Sequence, residues 1–174
     1  MKKVLVFVTT LDGKITHWGD AIVRKWSSEE DKRYFKKVWD DSPLTVMGST
    51  TFNADPMKPT PTHHLVVMTR TPAKYKDQEV IGQLEFTDHS PAQLVAHYKK
   101  EGFKQMTVVG GPHIATSFLK EKLIDELWLT IEPKIFGTGG NFVVNENLDV
   151  DLQLLSVEKV NERGTLITKY AVIK

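Results

Sequence analysis

The run from Met106 to Leu119 constrains this chain most tightly. Met106-Thr107-Val108-Val109 is apolar and rich in β-branched residues, the composition of a buried strand. Gly110-Gly111 ends it, and Pro112 follows. Proline suits the first position of a helix, where its missing N–H would have no partner anyway. Ile114, Ala115, Phe118 and Leu119 then recur at helical spacing. The segment predicts a strand, a two-glycine turn and a helix. Two glycines let the backbone turn sharply and let a ligand come close, because no Cβ stands in the way. A helix start offers open N–H groups and the positive end of its dipole, and both favour a phosphate. The turn is therefore either a diphosphate cradle for a nucleotide cofactor or a plain strand–helix connection that uses glycine.

The rest of the chain is long enough to build a core around this unit. At 174 residues it predicts one domain, 1–174. A net charge of +1 and the absence of a dense basic tract give no sign of a nucleic-acid partner. There are no cysteines, which excludes disulfides and cysteine-ligated metal sites. No metal site is expected. The apolar run Val4 to Val8 is too short for a signal peptide or a membrane span. The expectation is a soluble, cytoplasmic protein with no membrane contact.

Val4 to Thr9 reads as a strand buried on both faces. It ends at Leu11-Asp12-Gly13, a turn signal, and Ile15 to Trp18 could continue as a short extended piece. Asp12 either makes the turn or contacts a substrate, since sites gather at strand ends in open α/β sheets. Ser27 predicts a helix cap, with Glu30 at capping-box spacing. Tyr34, Phe35, Val38 and Trp39 form the apolar face of that helix. Asp31 borders this face, so it could sit half-buried at the mouth of a pocket with a raised pKa.

Leu44 to Met47 predicts a second buried strand, running into Gly48-Ser49-Thr50-Thr51, which could open a short helix that holds a phosphate or ribose. Asn53 to Pro61 reads as loop. His63 to Met68 predicts a third strand, closed by Thr69-Arg70. Arg70 either grips a phosphate or is an ordinary surface charge. Leu84 to Phe86 is a short strand. A helix from Ser90-Pro91 should stop at Gly102. Ile124 to Ile131 reads as a strand, followed by a glycine-rich loop from Pro133 to Gly140. Leu152 to Val160 and Leu166 to Ile173 predict a hairpin around Asn161-Glu162-Arg163-Gly164. The pattern predicts a three-layer α/β domain with one mixed sheet. No Gly-x-Gly-x-x-Gly follows the first strand, so it is not the common dinucleotide fold.

Taken together, these segments resemble the dihydrofolate reductase superfamily. The residues that carry the resemblance are Leu11-Asp12-Gly13-Lys14-Ile15, Val46-Met47-Gly48-Ser49-Thr50-Thr51-Phe52, Met68-Thr69-Arg70, Val109-Gly110-Gly111-Pro112-His113-Ile114 and Leu129-Thr130-Ile131-Glu132-Pro133. The nearest branch is the reductase domain of the bacterial riboflavin-biosynthesis enzyme and its stand-alone relatives. The resemblance implies a central, mostly parallel mixed sheet flanked by helices, and NADPH as cofactor. Gly48, Ser49, Thr50 and Thr51 would meet the ribose-phosphate side. Thr69 and Arg70 would take the 2′-phosphate, and Gly110, Gly111, His113 and Ile114 the diphosphate. Asp31 matches the pterin-binding acid of the superfamily, Thr130 the threonine beside it, and Asp12 an acid near the nicotinamide.

Two departures bear on the substrate. His63 stands where dihydrofolate reductases usually carry an arginine, and Glu29-Glu30-Asp31 sets negative charge where the riboflavin branch meets a phosphate. The function implied is an NADPH-dependent reductase acting on a small pteridine, pyrimidine or related heterocycle or carbonyl. The alternatives are a non-catalytic nucleotide-binding protein of the same fold, and a fold relative without cofactor. Relatives of this kind are often dimers, and Tyr170 and Ile173 could serve a homodimer contact.

Overall fold

The computed structural model describes residues 1–18, 20 and 22–174. Its strands are β1 (Lys2–Thr10), β2 (Leu44–Gly48), β3 (His64–Met68), β4 (Leu84–Thr87), β5 (Gln105–Val108), β6 (Glu126–Glu132), β7 (Leu152–Lys159) and β8 (Leu166–Val172). Its α-helices are α1 (Glu29–Asp40), α2 (Ser49–Ala54), α3 (Pro91–Lys100) and α4 (Pro112–Lys120). The eight strands form one sheet in the order β4-β3-β2-β5-β1-β6-β8-β7. Strands β1 to β6 pair in parallel, while β8 runs antiparallel to both β6 and β7. The fold is the expected mixed, mostly parallel sheet with a C-terminal antiparallel hairpin.

Strand alternation sorts the core into two faces. Leu5, Val46, Val66, Met106 and Val108 pack with Leu94 and Tyr98 of α3 and Ala115 and Phe118 of α4. On the opposite face Val4 and Val6 meet Tyr34, Phe35 and Val38 of α1, and Met47, Leu65 and Val67 meet Phe52 of α2. Each of these β1 and β5 side chains is almost wholly removed from water. A fully buried aliphatic side chain contributes about 1.5–3 kcal/mol, so these two interfaces dominate the stability of the sheet.

Several local expectations change. Ile15 to Trp18 is not a strand. Isolated bridges Lys14–Asn141 and His17–Asp20 hold that segment to the loop after β6 and to itself. The cap of α1 is Ser28, not Ser27: its Oγ accepts the Asp31 N–H at 3.2 Å. The capping box with Glu30 does not form, because Glu30 is taken by Arg33 and by Asn161. Helix α2 extends to Ala54, so the loop begins after it. His63 precedes β3 in a turn and stacks on Trp39 with ring centroids 4.2 Å apart. Pro72–Gln78 forms a 3₁₀ segment that no periodicity announced. Helix α3 does stop before Gly102, whose φ of +89° is the left-handed conformation glycine tolerates best.

Candidate active site

A cleft of about 700 Å³ opens at the carboxyl ends of β1, β2, β5 and β6. Ligand sites of open α/β sheets lie in such crevices. Helix α1 makes one wall, with Asp31, Lys32, Tyr34, Phe35, Lys36 and Trp39 facing the cleft. The glycine turn after β5 and the first residues of α2 make the far end, through Gly110, Gly111, Pro112, Thr50 and Thr51.

Asp31 is 6% exposed. Burial pushes its carboxyl above the ordinary carboxylate value. The hydroxyls of Thr130 and Ser27 work against the rise, Glu132 adds to it, and Lys32 opposes it. Asp31 and Thr130 thus meet as the sequence suggested, although the acid is deeply rather than half buried. The Tyr34 hydroxyl, on the same helix as Asp31, is buried without a hydrogen-bond partner among the described residues. Burial, with the Asp31 charge nearby, pushes the Tyr34 hydroxyl up to about 12. Ser27 and Tyr34 both line the cleft. Sequence reasoning missed them because it used Ser27 as a cap and Tyr34 as packing. The signal available was their position beside Asp31 on the same helix start.

Negative charge does not dominate the mouth. Glu29 and Glu30 stand off the cleft, while Arg24, Lys32 and Lys36 line it. Lys32 pairs with Glu29 at 2.7 Å, Lys36 with Asp40 at 2.5 Å, and Arg24 with Asp55. The three acids do not together form the entrance: one helix turn carries Asp31 inward, while Lys32 and Lys36, four residues apart, line the opening with Asp40 and Asp55.

The two-glycine turn is closely packed. Gly48 N–H donates to the Gly110 carbonyl at 2.9 Å. A Cβ on Gly110 or Gly111 would lie 3.3 or 3.1 Å from Thr51 Oγ1, and one on Gly48 would lie 3.0 Å from Ile114 Cγ1. The Gly110–Gly111 peptide is cis. Gly111 caps α4 with extended backbone and no side-chain cap. Pro112 carries no N–H, so the first-turn amides of His113 and Ile114 remain to receive an anion, with the Thr50 and Thr51 hydroxyls across from them.

Other expected site residues lie off the cleft walls. Asp12 closes a turn: it accepts from the Thr10 hydroxyl at 2.5 Å, Phe136 N–H at 3.2 Å and Gly137 N–H at 2.7 Å. The Thr10 bond comes first among the causes that hold its carboxyl down to about 2. Thr69 ends β3, its N–H bonded to the Thr87 carbonyl at 2.8 Å, and Arg70 is exposed just beyond it. His113 is exposed on α4, and Ile114 packs against Gly48. Ser49 opens α2 beside the lining residues Thr50 and Thr51.

The fold recurs in known proteins. The family model of the RibD C-terminal domain matches residues 2–166. The chain belongs to that family. A curated relative is the uncharacterized protein YwjB of Bacillus subtilis (strain 168). It is 26% identical over 144 residues, covering 79% of this chain and 80% of its own. Among solved structures, a pyrimidine reductase-like protein from Corynebacterium diphtheriae superposes with a TM-score of 0.78 at 16% identity, covering 99% of this chain and 92% of that one. Dihydrofolate reductase from Enterococcus faecalis, solved with NADP(H), superposes with a TM-score of 0.70 at 20% identity, covering 99% and 97%. At these identities the likeness shows the fold. This RibD C-terminal domain therefore has a dihydrofolate reductase-like fold. No helix among its described residues is long and apolar enough to cross a membrane.

Proposed function

We propose that the protein is an NADPH-dependent reductase that passes hydride to a small pteridine, pyrimidine or related heterocyclic or carbonyl substrate. The observation that carries this reading is one continuous cleft joining a buried carboxyl, Asp31, to a two-glycine helix start at Gly110-Gly111. The residues present fit the cofactor. A Cβ on Gly110 or Gly111 would crowd the Thr51 hydroxyl, and the bare glycine backbone suits the close approach of a diphosphate. The first-turn amides of His113 and Ile114 and the Thr50 and Thr51 hydroxyls supply donors. Gly48 and Ser49 would shape the ribose side, and Thr69 and Arg70 would meet the 2′-phosphate. Bound there, NADPH supplies the hydride.

The chain's own groups do the rest. Asp31, whose proton affinity burial raises, binds a ring nitrogen or hands a proton to it, with Thr130 fixing its orientation. Phe35, Trp39 and Met57 offer apolar surface to a flat ring. Arg24, Lys32 and Lys36 are each matched by a carboxylate, which suits an uncharged ring better than a ribose phosphate. Asp12 acts at one remove, by tying down the loop after β6.

The test is quenching of tryptophan fluorescence by NADPH, with NADH as control. Trp39 lines the cleft and should report binding. Loss of NADPH absorbance with a panel of dihydropteridines and aminopyrimidinones then reads turnover. Tight NADPH binding with turnover supports the reductase. Binding without turnover on any of them favours the non-catalytic alternative, and absence of binding overturns the proposal.

A further inference from the structure

Glu132 ends β6 and is only 2% exposed, yet it does not line the cleft. It lies two residues beyond Thr130, and strand alternation puts both on the face covered by α1. Its Oε1 accepts the backbone N–H of Ser28 at 2.7 Å, and its Oε2 accepts the Thr165 hydroxyl at 2.8 Å. Ser28 in turn accepts the Asp31 N–H on its Oγ at 3.2 Å. A chain of polar contacts therefore runs from the end of β6 through the cap of α1 to the acid of the site. Asn161 adds a second tie, donating to Thr165 Oγ1 at 2.9 Å and to Glu30 at 3.1 Å.

We propose that Glu132 is a positioning residue for Asp31: its carboxylate fastens the first turn of α1, and with it Asp31, to the end of β6. The charged and titratable groups facing Asp31 are Glu132 from β6 and Lys32 and Tyr34 from its own helix. Lys32 is a weak counter-charge, because it reaches into solvent and is shared with Glu29 at 2.7 Å. Burial alone would raise the proton affinity of Asp31; Glu132 adds to it and fixes where the proton is offered.

The role rests on Asp31 being the acid of the proposed reductase. The test needs neither cofactor nor substrate, so its failure is separable from a failure to bind NADPH. The side-chain carboxyls of the full chain, labelled with ¹³C at Asp and Glu, are titrated by NMR in wild type, Glu132→Gln and Thr165→Val. Glutamine keeps the shape of Glu132 and removes its charge. A purely structural Glu132 would leave the Asp31 titration where it is. The expected result is a downward shift of the Asp31 midpoint in Glu132→Gln. An unmoved Asp31 midpoint in folded Glu132→Gln overturns the proposal. If Glu132→Gln does not fold, Thr165→Val decides, because it removes only the hydroxyl that Glu132 Oε2 accepts: an unmoved Asp31 midpoint there overturns it.

Discussion

The carboxylate of Asp12 accepts the backbone N–H of Gly137 at 2.7 Å, across 125 residues of sequence, and so binds the loop after β1 to the loop after β6. Its partner bonds are to the Thr10 hydroxyl and Phe136 N–H. Its carboxyl is held down from 3.8 to about 2, first by the Thr10 hydroxyl. A group with a depressed folded pKa stabilises above its unfolded value, and that contribution is lost as pH falls through the folded value. Asp12→Asn offers one acceptor where the carboxylate has two, and turns an N–H donor toward another. The melting temperature at pH 7 should fall. The gap to wild type should narrow below pH 3.8 and close near pH 2, as read by circular dichroism. A gap that persists at pH 2 would show that Asp12 acts by packing instead.

Asp31 has the opposite sign. Its folded pKa is raised, chiefly by burial, so the favourable contribution of its acid form is complete below the ordinary 3.8 and is lost as pH rises through the folded value. Asp31→Asn does not titrate. It should melt higher than wild type at pH 7 and lose that advantage below 3.8. Turnover should drop by about 10²–10⁴-fold if Asp31 delivers the proton, with NADPH affinity nearly unchanged. Steady-state kinetics and fluorescence quenching separate the two.

Gly48→Ala tests how the end of β2 meets α4. The backbone at Gly48 has a φ of −87°, which alanine accepts, but its Cβ would come 3.0 Å from Ile114 Cγ1. Overpacking of this kind costs about 1–3 kcal/mol in urea unfolding. Ile114→Ala removes Cγ1, so the double variant should recover part of the loss. Simple additivity would place the contact elsewhere.

Arg70 lies exposed beyond β3, away from the walls of the cleft. If it meets the 2′-phosphate, Arg70→Ala removes a charge-assisted bond of about 1.5–3 kcal/mol, or roughly ten- to a hundredfold in affinity. NADPH binding should weaken by that factor while NADH binding and stability stay constant. Equal weakening of both cofactors would assign Arg70 a general electrostatic role.

Strand β7 ends the sheet with Leu152, Leu154, Leu155 and Val157 each 44–56% exposed. Tyr170, an expected dimer contact, packs inward on the core instead, and Ile173 remains exposed at 50%. An unpaired apolar edge invites another strand. Antiparallel pairing of two β7 strands about the point between Leu155 and Ser156 would set Leu154 of each copy opposite Val157 of the other. Light scattering is expected to give the mass of a dimer, and Leu154→Lys should give a monomer with an unchanged fold. A monomeric wild type at micromolar concentration would exclude this contact.

The sequence by itself determined most of the sheet and the two-glycine helix start. Buried strands carry continuous apolar runs and helix ends carry serine, proline and glycine, so each signal lies within a few residues of what it specifies. Val4 to Val8, Leu44 to Met47 and Met106 to Val108 could be read in this way, and Asp31 could be placed at the edge of a buried face. Only the tertiary structure decided what surrounds that acid and what the cleft contains. Glu132 reaches Ser28 across 104 residues, and no periodicity encodes such a contact. Lys32 and Lys36 line the cleft without any local signal for it, and Glu29 and Glu30, which read as its mouth, stand outside it. Local hydrogen bonding and hydrophobic period fix elements. The charge, burial and proton affinity of a site are set by groups that meet only when those elements pack.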